Sequence, residues 1–461
     1  MSSWSLDHRS ALLLILVISI AYGLASFLYY YSTPYYNSYI SDEVWYVDAA
    51  RNLLYLLGLE PRLTEPYTAT IFLRPEADTQ EFLSILNTSF PEVKVVQTLS
   101  KIKAVYVESH SLRDIERLSL LPEIKYIRPG YVYGDAGDID VYYNLEHPPL
   151  AKYFIMYSMY LFGDDPFFWR LPSIILGVLK VFLVGVLILR LTNDPLFGIL
   201  GSLTVLFDPI NVFMDGLAML EAYVSFFTVL AAVFICLENH GLAGLFTGLA
   251  SSAKMSGFFI SLPGLLLSIT RRNLKKSIVY YIFIPLAVFI LTNIPIMLLF
   301  GYERWWRESI VGALSWHLST KTKPGEGPPI STPWDWFLGA NPFYVTINPD
   351  TPIRGNIIIY IGTIILSILF LVLIIAYREE IVKKYTYVIY MMTIAYGTWF
   401  GYVIIWFAGN HSEYSFYMAQ ISPLLDALFV LLLYVFYKEY AKITRLVQDL
   451  VLEQKSIKDS F

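Results

Sequence analysis

The 461-residue sequence contains one cysteine, Cys236, so an intramolecular disulfide is excluded. Cys236 sits in an apolar run, where a thiol behaves as a small buried hydrophobe. Charge is scarce too: 15% of residues are charged, 56% are hydrophobic and the net charge is -5. No basic arm or aromatic–basic ribbon occurs, which removes nucleic acid from the expected partners. No His/Cys cluster marks a tight metal site. No internal repeat is found of the kind that builds transporters, and the polar residues gather toward one side of the apolar runs rather than their middle.

What the sequence does have is apolar length. Residues 11–31 form an uncharged run of spanning length, preceded by Asp7, His8 and Arg9. It lacks a small-residue cleavage site and reads as an uncleaved first helix. Further spans are expected at 168–190, 195–213, 217–237, 241–256, 257–270, 278–300, 355–377, 385–408 and 413–437. The fold class is therefore a mainly α polytopic membrane protein of about ten transmembrane helices. Arg190, Arg271, Arg272, Lys275, Lys276, Arg378, Lys383, Lys384, Lys438, Lys442 and Arg445 all fall on one side. The positive-inside rule makes that side cytoplasmic, with both termini there. Two long segments, 32–167 and 301–354, then face outward and carry most of the polar residues of interest.

The first outer segment holds a compact α+β insert at 66–133. "TATIFLRP" reads as a strand, and Asp78 with Glu81 begins a helix carrying Phe82, Ile85, Leu86 and Phe90 on one face. "VKVVQTL" and "IKAVYVE" form a hairpin around Ser100 and Lys101, followed by a second amphipathic helix and a last strand. The order βαββαβ is the ferredoxin-like split βαβ pattern. The insert contains no catalytic constellation and reads as a docking or structural module, with a protein partner as its candidate ligand. The chain divides into 1–65 (first span and start of the outer loop), 66–133, 134–300 (surface helix and membrane core), 301–354 (Trp-rich outer loop) and 355–461 (last spans and cytoplasmic tail).

Charges within or beside apolar runs are the candidates for chemistry. Asp42 and Glu43 open a helical pattern directly after the first span. They suit helix capping, but adjacent side chains diverge, so one can cap while the other faces a cavity. In "NLEHPPLAKYF", two prolines suit the start of a helix along the outer membrane surface. Lys152 there either snorkels or offers a cation to a lipid phosphate, and His147 caps, coordinates or donates. Asp208, Asp215 and Glu221 sit at the outer end of a hairpin of spans. Glu221 and Lys254 are intramembrane charges of opposite sign, which either pair with each other or mark a functional cavity.

The adjacent DE, "HPPLAK", "WRLPSIILG", "FDPINVF…AMLE", "GLASSAKMSG" and "STPWDWF" occur in the order seen in protein O-mannosyltransferases, and over most of the chain outside the insert the sequence resembles that family. The resemblance implies a GT-C glycosyltransferase fold. It implies an activity that moves a sugar, mannose, from a polyprenyl (dolichyl) phosphate to a Ser/Thr hydroxyl on the extracytoplasmic side of the cell membrane, with inversion. Asp42 is then the base, and Glu43 orients acceptor or sugar. His147, Lys152, Glu221 and Lys254 bind the donor, and Trp334 and Trp336 help form the acceptor groove. Trp305, Trp306 and Trp316 read as interfacial anchors. No cofactor or metal is obligatory; the partners are the lipid-linked sugar and a protein or lipid acceptor. Three departures stand out. Asp215-Gly216 replaces the family's Ser-Arg, and Glu221 replaces its Asp. The basic residue expected before "SEYSFYMAQISPLL" is represented only by His411, and the insert suggests a divergent, archaeal member. A GT-C enzyme acting on a lipid or glycan, a transporter and a non-catalytic scaffold are the competing readings.

Overall fold

The computed structural model describes residues 7–271, 273–319 and 327–444. Arg272 and Arg445 of the basic set expected on the cytoplasmic side, residues 320–326 of the segment expected to face outward and the side chain of Trp316 lie outside that description. Helix α1 (His8–Tyr31) starts where the Asp7 carboxylate accepts the Ser10 N–H, closing a donor that the helix itself leaves unpaired. After α2 (Glu43–Leu56) come β1 (Tyr67–Leu73), α3 (Thr79–Ser89), β2 (Val93–Leu99), β3 (Ala104–Ser109), α4 (Leu112–Leu118) and β4 (Ile124–Pro129). The chain continues through α5 (Leu150–Phe162), α6 (Pro166–Thr192), α7 (Pro195–Leu206), α8 (Pro209–Asp215), α9 (Leu220–Cys236) and α10 (His240–Ala253). A 3₁₀ segment, Met255–Ile260, leads into α11 (Ser261–Ile269). The helical stretches Leu274–Phe300, Ile357–Ala376, Thr386–Ala408 and Ser422–Lys438 follow.

Five of these helices are long and apolar enough to cross a membrane: His8–Tyr31, Pro166–Thr192, Leu274–Phe300, Ile357–Ala376 and Thr386–Ala408. The pair α7–α8 makes a sixth if counted as one span bent by 64°. The protein is thus a multi-pass membrane protein, but among the described residues ten full-length spans are not seen. The shortfall has local causes. Pro209 ends α7–α8 continuity because its ring removes a donor and drives Asp208 into extended backbone (φ -94°, ψ 106°). Lys254 is extended as well (φ -153°, ψ 138°) and ends α10 close to the expected boundary between 241–256 and 257–270. What remains is α10 with 14 residues and α11 with 9, against the roughly 20 that a crossing needs. Helix α9 and Ser422–Lys438, with 17 residues each, are slightly short.

In the insert the strand–helix–strand–strand–helix–strand order is observed, with sheet order β2-β3-β1-β4 and all neighbours antiparallel. Alternation along β1 sends Ala69, Ile71 and Leu73 into a core with Phe82 and Leu86 of α3 and Ile115 and Leu118 of α4. Phe72, on the opposite face, packs with Leu99, Tyr133 and Ile139. Ala69 of β1 pairs with Pro129 of β4, so the module's entering and leaving strands lie side by side.

The sheet is tied to the membrane core through α2. Arg128 donates to Asn52 Oδ1 (2.5 Å), and Asn52 Nδ2 donates to the carbonyls of Ile139 (2.8 Å) and Tyr142 (2.7 Å). Arg51, fully buried, grips both oxygens of Asp164 between α5 and α6 (2.6 and 2.9 Å) and also bonds Asp48 and Tyr39. Asp164 in turn accepts from the Tyr131 N–H (3.0 Å) and Trp169 Nε1 (2.7 Å). One guanidinium thereby fixes α2, the end of the module and the start of α6 together.

A second buried network binds the helices to each other. Lys180 of α6 donates to Asp215 (3.0 Å), Asn211 (3.2 Å) and Ser225 (3.2 Å), and Tyr22 of α1 donates to the other Asp215 oxygen (2.5 Å). Asn211 passes the contact to Asp426 (3.1 Å) in the last helix. Asp215, expected near the outer end of a hairpin, is instead an interhelical partner. Gly177 is required here: a Cβ on it would stand 2.5 Å from an Asp215 oxygen. Replacing Lys180 by Met strands a carboxylate in a low-dielectric interior, and breaking such a pair typically costs about 3–5 kcal/mol. Lys180→Met should therefore lower the thermal unfolding midpoint in detergent by several degrees, and the double variant Lys180→Met, Asp215→Asn should recover part of the loss. An unchanged midpoint for Lys180→Met would show that the network is not structural.

Candidate functional site

Glu43 is the first residue of α2 and is fully buried. Arg170 of α6 holds it with two parallel bonds, Nε to Oε1 (2.8 Å) and Nη2 to Oε2 (2.7 Å). The remaining lone pairs accept the N–H groups of Ile40 (2.8 Å) and Ala218 (2.8 Å). Arg170 completes its donors on the carbonyls of Tyr36 (2.9 Å) and Ser38 (2.8 Å). This planar fork fixes the direction in which α2 begins. Glu43 therefore positions the helix start, with both oxygens engaged by Arg170 and backbone donors, where the family resemblance implied a role toward acceptor or sugar.

The preceding residue faces the other way. Asp42 is the N-cap of α2 by position but makes no side-chain capping bond. Its carboxylate lines a cavity of about 680 Å³ together with Tyr46, Asn144, Glu146, His147, Lys254 and Tyr417. Burial, reinforced by the nearby Glu221 and opposed by Lys254, raises Asp42 to about 6. A carboxylate poised there can take a proton near neutral pH.

Lys254 comes from the extended break after α10. That break lets a lysine leave the helix axis and enter the cavity, where it is the buried cation. It donates to Glu221 Oε1 of α9 (2.6 Å), and its Nζ lies 3.6 Å from the Tyr417 ring centroid. The pair expected from opposite charges in neighbouring spans is present, and its Lys254 lines the cavity as well. Glu221 Oε2 is buried with no hydrogen-bond partner among the described residues. Lys254 has three N–H donors and, among the described residues, one hydrogen bond, so donors remain for an anion, although Glu221 already offsets one charge.

His147 lines the same cavity and packs edge-on to the Tyr46 ring (5.8 Å between centroids). Lys152, on the first turn of α5, points away from it. Its amine is buried and donates to the carbonyls of Asn144, His147 (2.9 Å) and Tyr143 (3.4 Å), and to Asn144 Oδ1 (3.3 Å). Burial pushes Lys152 down to about 7. The expected outward-facing lysine is a clamp on the loop that carries Asn144, Glu146 and His147. Asn144 needs such a clamp, since it holds a left-handed backbone (φ 50°).

Trp334 is exposed against Trp406 and Phe407, and Trp336 is buried edge-on to Tyr402. Neither lines the large cavity, so the acceptor-groove expectation is not met by this geometry. Trp305, expected as an interfacial anchor, is buried and donates to Asn293 (3.0 Å). Sequence reasoning passed over Arg170, Tyr417 and Glu413 as site residues. In the sequence Arg170 stands only as part of "WRLPSIILG", and Glu413 and Tyr417 lie within "SEYSFYMAQISPLL".

Residues 146–296 match the family model described as dolichyl-phosphate-mannose-protein mannosyltransferase. That stretch contains His147, Lys152, Arg170, Glu221 and Lys254, but not Asp42 or Glu43. The chain is similar to a polyprenol-phosphate-mannose–protein mannosyltransferase of Mycobacterium tuberculosis, 31% identical over 85 residues, covering 18% of this chain and 16% of the relative. The protein of that description from Mycolicibacterium smegmatis is 31% identical over 91 residues, covering 20% and 17%. The chain thus spans less than a fifth of the length of the curated relatives it matches. Among solved structures, ArnT from Cupriavidus metallidurans bound to undecaprenyl phosphate aligns over 93% of this chain and 60% of its own, at 11% identity and a TM-score of 0.49. The S. cerevisiae protein O-mannosyltransferase Pmt1-Pmt2 complex bound to the sugar donor aligns over 69% and 38%, at 16% identity and 0.33.

Proposed function

We infer that the protein is an integral-membrane glycosyltransferase of the GT-C type. It moves a sugar, mannose, from a polyprenyl phosphate to a hydroxyl acceptor, Ser or Thr of a protein, on the extracytoplasmic side and with inversion. The observation that carries this reading is the placement of Asp42 and Lys254 on one cavity, a poised base and a buried cation. The family-model match over 146–296, which includes Lys254 and Glu221, supports it.

The chemistry needs a proton acceptor and a counter-charge for the leaving group. Asp42 takes the proton of the acceptor hydroxyl as its oxygen forms a bond to the anomeric carbon. The bond from that carbon to the phosphate oxygen breaks on the opposite face, and its electron pair departs with the polyprenyl phosphate. Lys254 stabilises the charge that develops there, held in place by Glu221 and the Tyr417 ring. Glu43 and Arg170 keep Asp42 aimed, and Lys152 keeps the wall with His147 in shape. Residues 66–133 form a separate docking module for the acceptor or a protein partner. The basic residues lie on the cytoplasmic side with both termini.

The direct test is incubation of the purified protein with labelled polyprenyl-phosphate mannose and acceptor peptides or native membranes. Label on protein is the expected outcome; label on lipid would replace the acceptor, and no transfer from any lipid-phosphate sugar would end the reading. Asp42→Asn should reduce turnover by about a hundredfold or more with donor binding retained. Because the base works only when deprotonated, wild-type kcat/KM should rise with pH through about 6 and then level off. A flat profile from pH 5 to 8 would remove Asp42 from that role.

Lys152 and Lys254 should separate cleanly in donor binding. Lys152→Met, which unpins the Asn144–His147 loop, should lower thermal stability and reduce turnover, and Lys152→Arg should not restore it, because a guanidinium cannot fit the same carbonyls. Lys254→Met combined with Glu221→Gln, which leaves no unpartnered buried carboxylate, should weaken polyprenyl-phosphate binding at least tenfold in protein that stays folded. Equal donor affinity in the Lys254 variant would relocate the phosphate. Replacing 66–133 by a short flexible linker should leave donor affinity intact while altering acceptor use. Loss of donor binding in a well-folded deletion would place the module in the catalytic site.

A further inference from the structure

Glu413 lies in the loop between Thr386–Ala408 and the 3₁₀ turn Ser415–Gln420. Its backbone is fixed, since its carbonyl accepts the Ser331 N–H (3.0 Å). The side chain is fully buried, and neither carboxyl oxygen has a hydrogen-bond partner among the described residues. A buried polar group with both acceptors empty is costly and rare, and it calls for a missing partner. The empty oxygens border a second cavity of about 180 Å³, walled by Phe258, Phe259, Leu314 and Ile405. This apolar cavity shares Lys254 and Tyr417 with the larger one.

Charge makes the position stranger still. Asp42, Glu221 and Glu413 surround Lys254, and Glu221 already holds it. A third carboxylate in ionised form would repel any anion brought to that lysine. Burial, only partly opposed by Lys254, raises Glu413 to about 9. At neutral pH it is therefore a carboxylic acid, and a carboxylic acid carries one O–H donor. A buried acid kept neutral so that it can donate to an oxyanion is a known device of active sites.

We propose that Glu413 is a positioning residue for the donor's phosphate, donating a hydrogen bond from its carboxylic acid to a phosphate oxygen held at Lys254. The inference rests on reading the site as one for a polyprenyl-phosphate sugar. The apolar walls beside Glu413 suit the first isoprene units of the carrier, which must follow the phosphate directly. Among the described residues, the titratable groups facing Glu413 are Lys254 at the end of α10, Tyr402 on Thr386–Ala408 and Tyr417 on the 3₁₀ turn, with Glu221 of α9 across the lysine.

The test is the affinity of full-length protein in detergent for undecaprenyl monophosphate, with undecaprenol and inorganic phosphate as comparison probes. Wild type, Glu413→Gln and Glu413→Leu are measured at pH 7.5 and pH 10. Gln keeps a neutral donor at every pH, so its affinity at pH 7.5 should stay within threefold of wild type. Wild type should then lose at least tenfold more affinity than Gln on going to pH 10, the difference cancelling the titration of Lys254 and the tyrosines. Leu should bind at least tenfold more weakly than wild type at pH 7.5. Parallel pH dependence in wild type and Gln would overturn the proposal, and it decides the matter even if the Leu variant fails to fold. Tighter binding by Gln at pH 7.5 would show an ionised, repelling Glu413 and overturn it equally. Inorganic phosphate binding as tightly as the lipid would overturn the assignment to a lipid carrier. If wild type binds undecaprenol as well as undecaprenyl monophosphate, no phosphate is recognised at all. The donor reading itself then fails, a result distinct from one in which only residue 413 proves silent.

Discussion

The bidentate ion pair between Glu43 and Arg170 is the contact on which the site depends. It joins the first residue of α2 to the membrane helix α6, and its spare acceptors take up backbone donors from the loop before α2 and the segment before α9. Four parts of the chain are thus referenced to one carboxylate. Because neighbouring residues at a helix start diverge, fixing Glu43 inward leaves Asp42 aimed at the cavity. A buried pair of this kind need not raise net stability, since desolvation offsets much of the attraction. What it supplies is direction.

The buried cations divide by what surrounds them. Lys152 is enclosed by carbonyl oxygens, which exhaust its donors within its own loop. Lys254 has one carboxylate oxygen and the face of a ring, so part of its field remains open to the cavity. Lys180 is enclosed by side chains of other helices and acts as an interhelical bolt. Three lysines that look alike in an apolar sequence have three different duties, set by the geometry of their acceptors.

That difference explains what the sequence could and could not disclose. The membrane class, the position of the insert and its element order follow from hydropathy and periodicity, which are local properties. The split duty of Asp42 and Glu43 was also foreseeable from the divergence of adjacent side chains, but which of them turns inward depends on Arg170, 127 residues away in the chain. Lys152 misled because a lysine after two prolines at a membrane surface has the same sequence signature whether it reaches out or folds back. The span count misled for another reason: 241–270 does divide, near the expected boundary, but the helices on either side of Lys254 have only 14 and 9 residues. Glu413 left no sequence signal beyond its motif, since an empty acceptor is a property of the packed neighbours.

The side-by-side pairing of β1 with β4 has a consequence for how such a chain can be assembled over evolutionary time. A module whose first and last strands are adjacent enters and leaves its host loop at nearly one point. Such a unit can be added to or removed from a loop without stretching the flanking segments, and the entropy of closing the host loop barely changes with it. The membrane core and the module are then free to diverge at separate rates, with α2 and the Arg51–Asp164 clamp as the shared seam that both must respect.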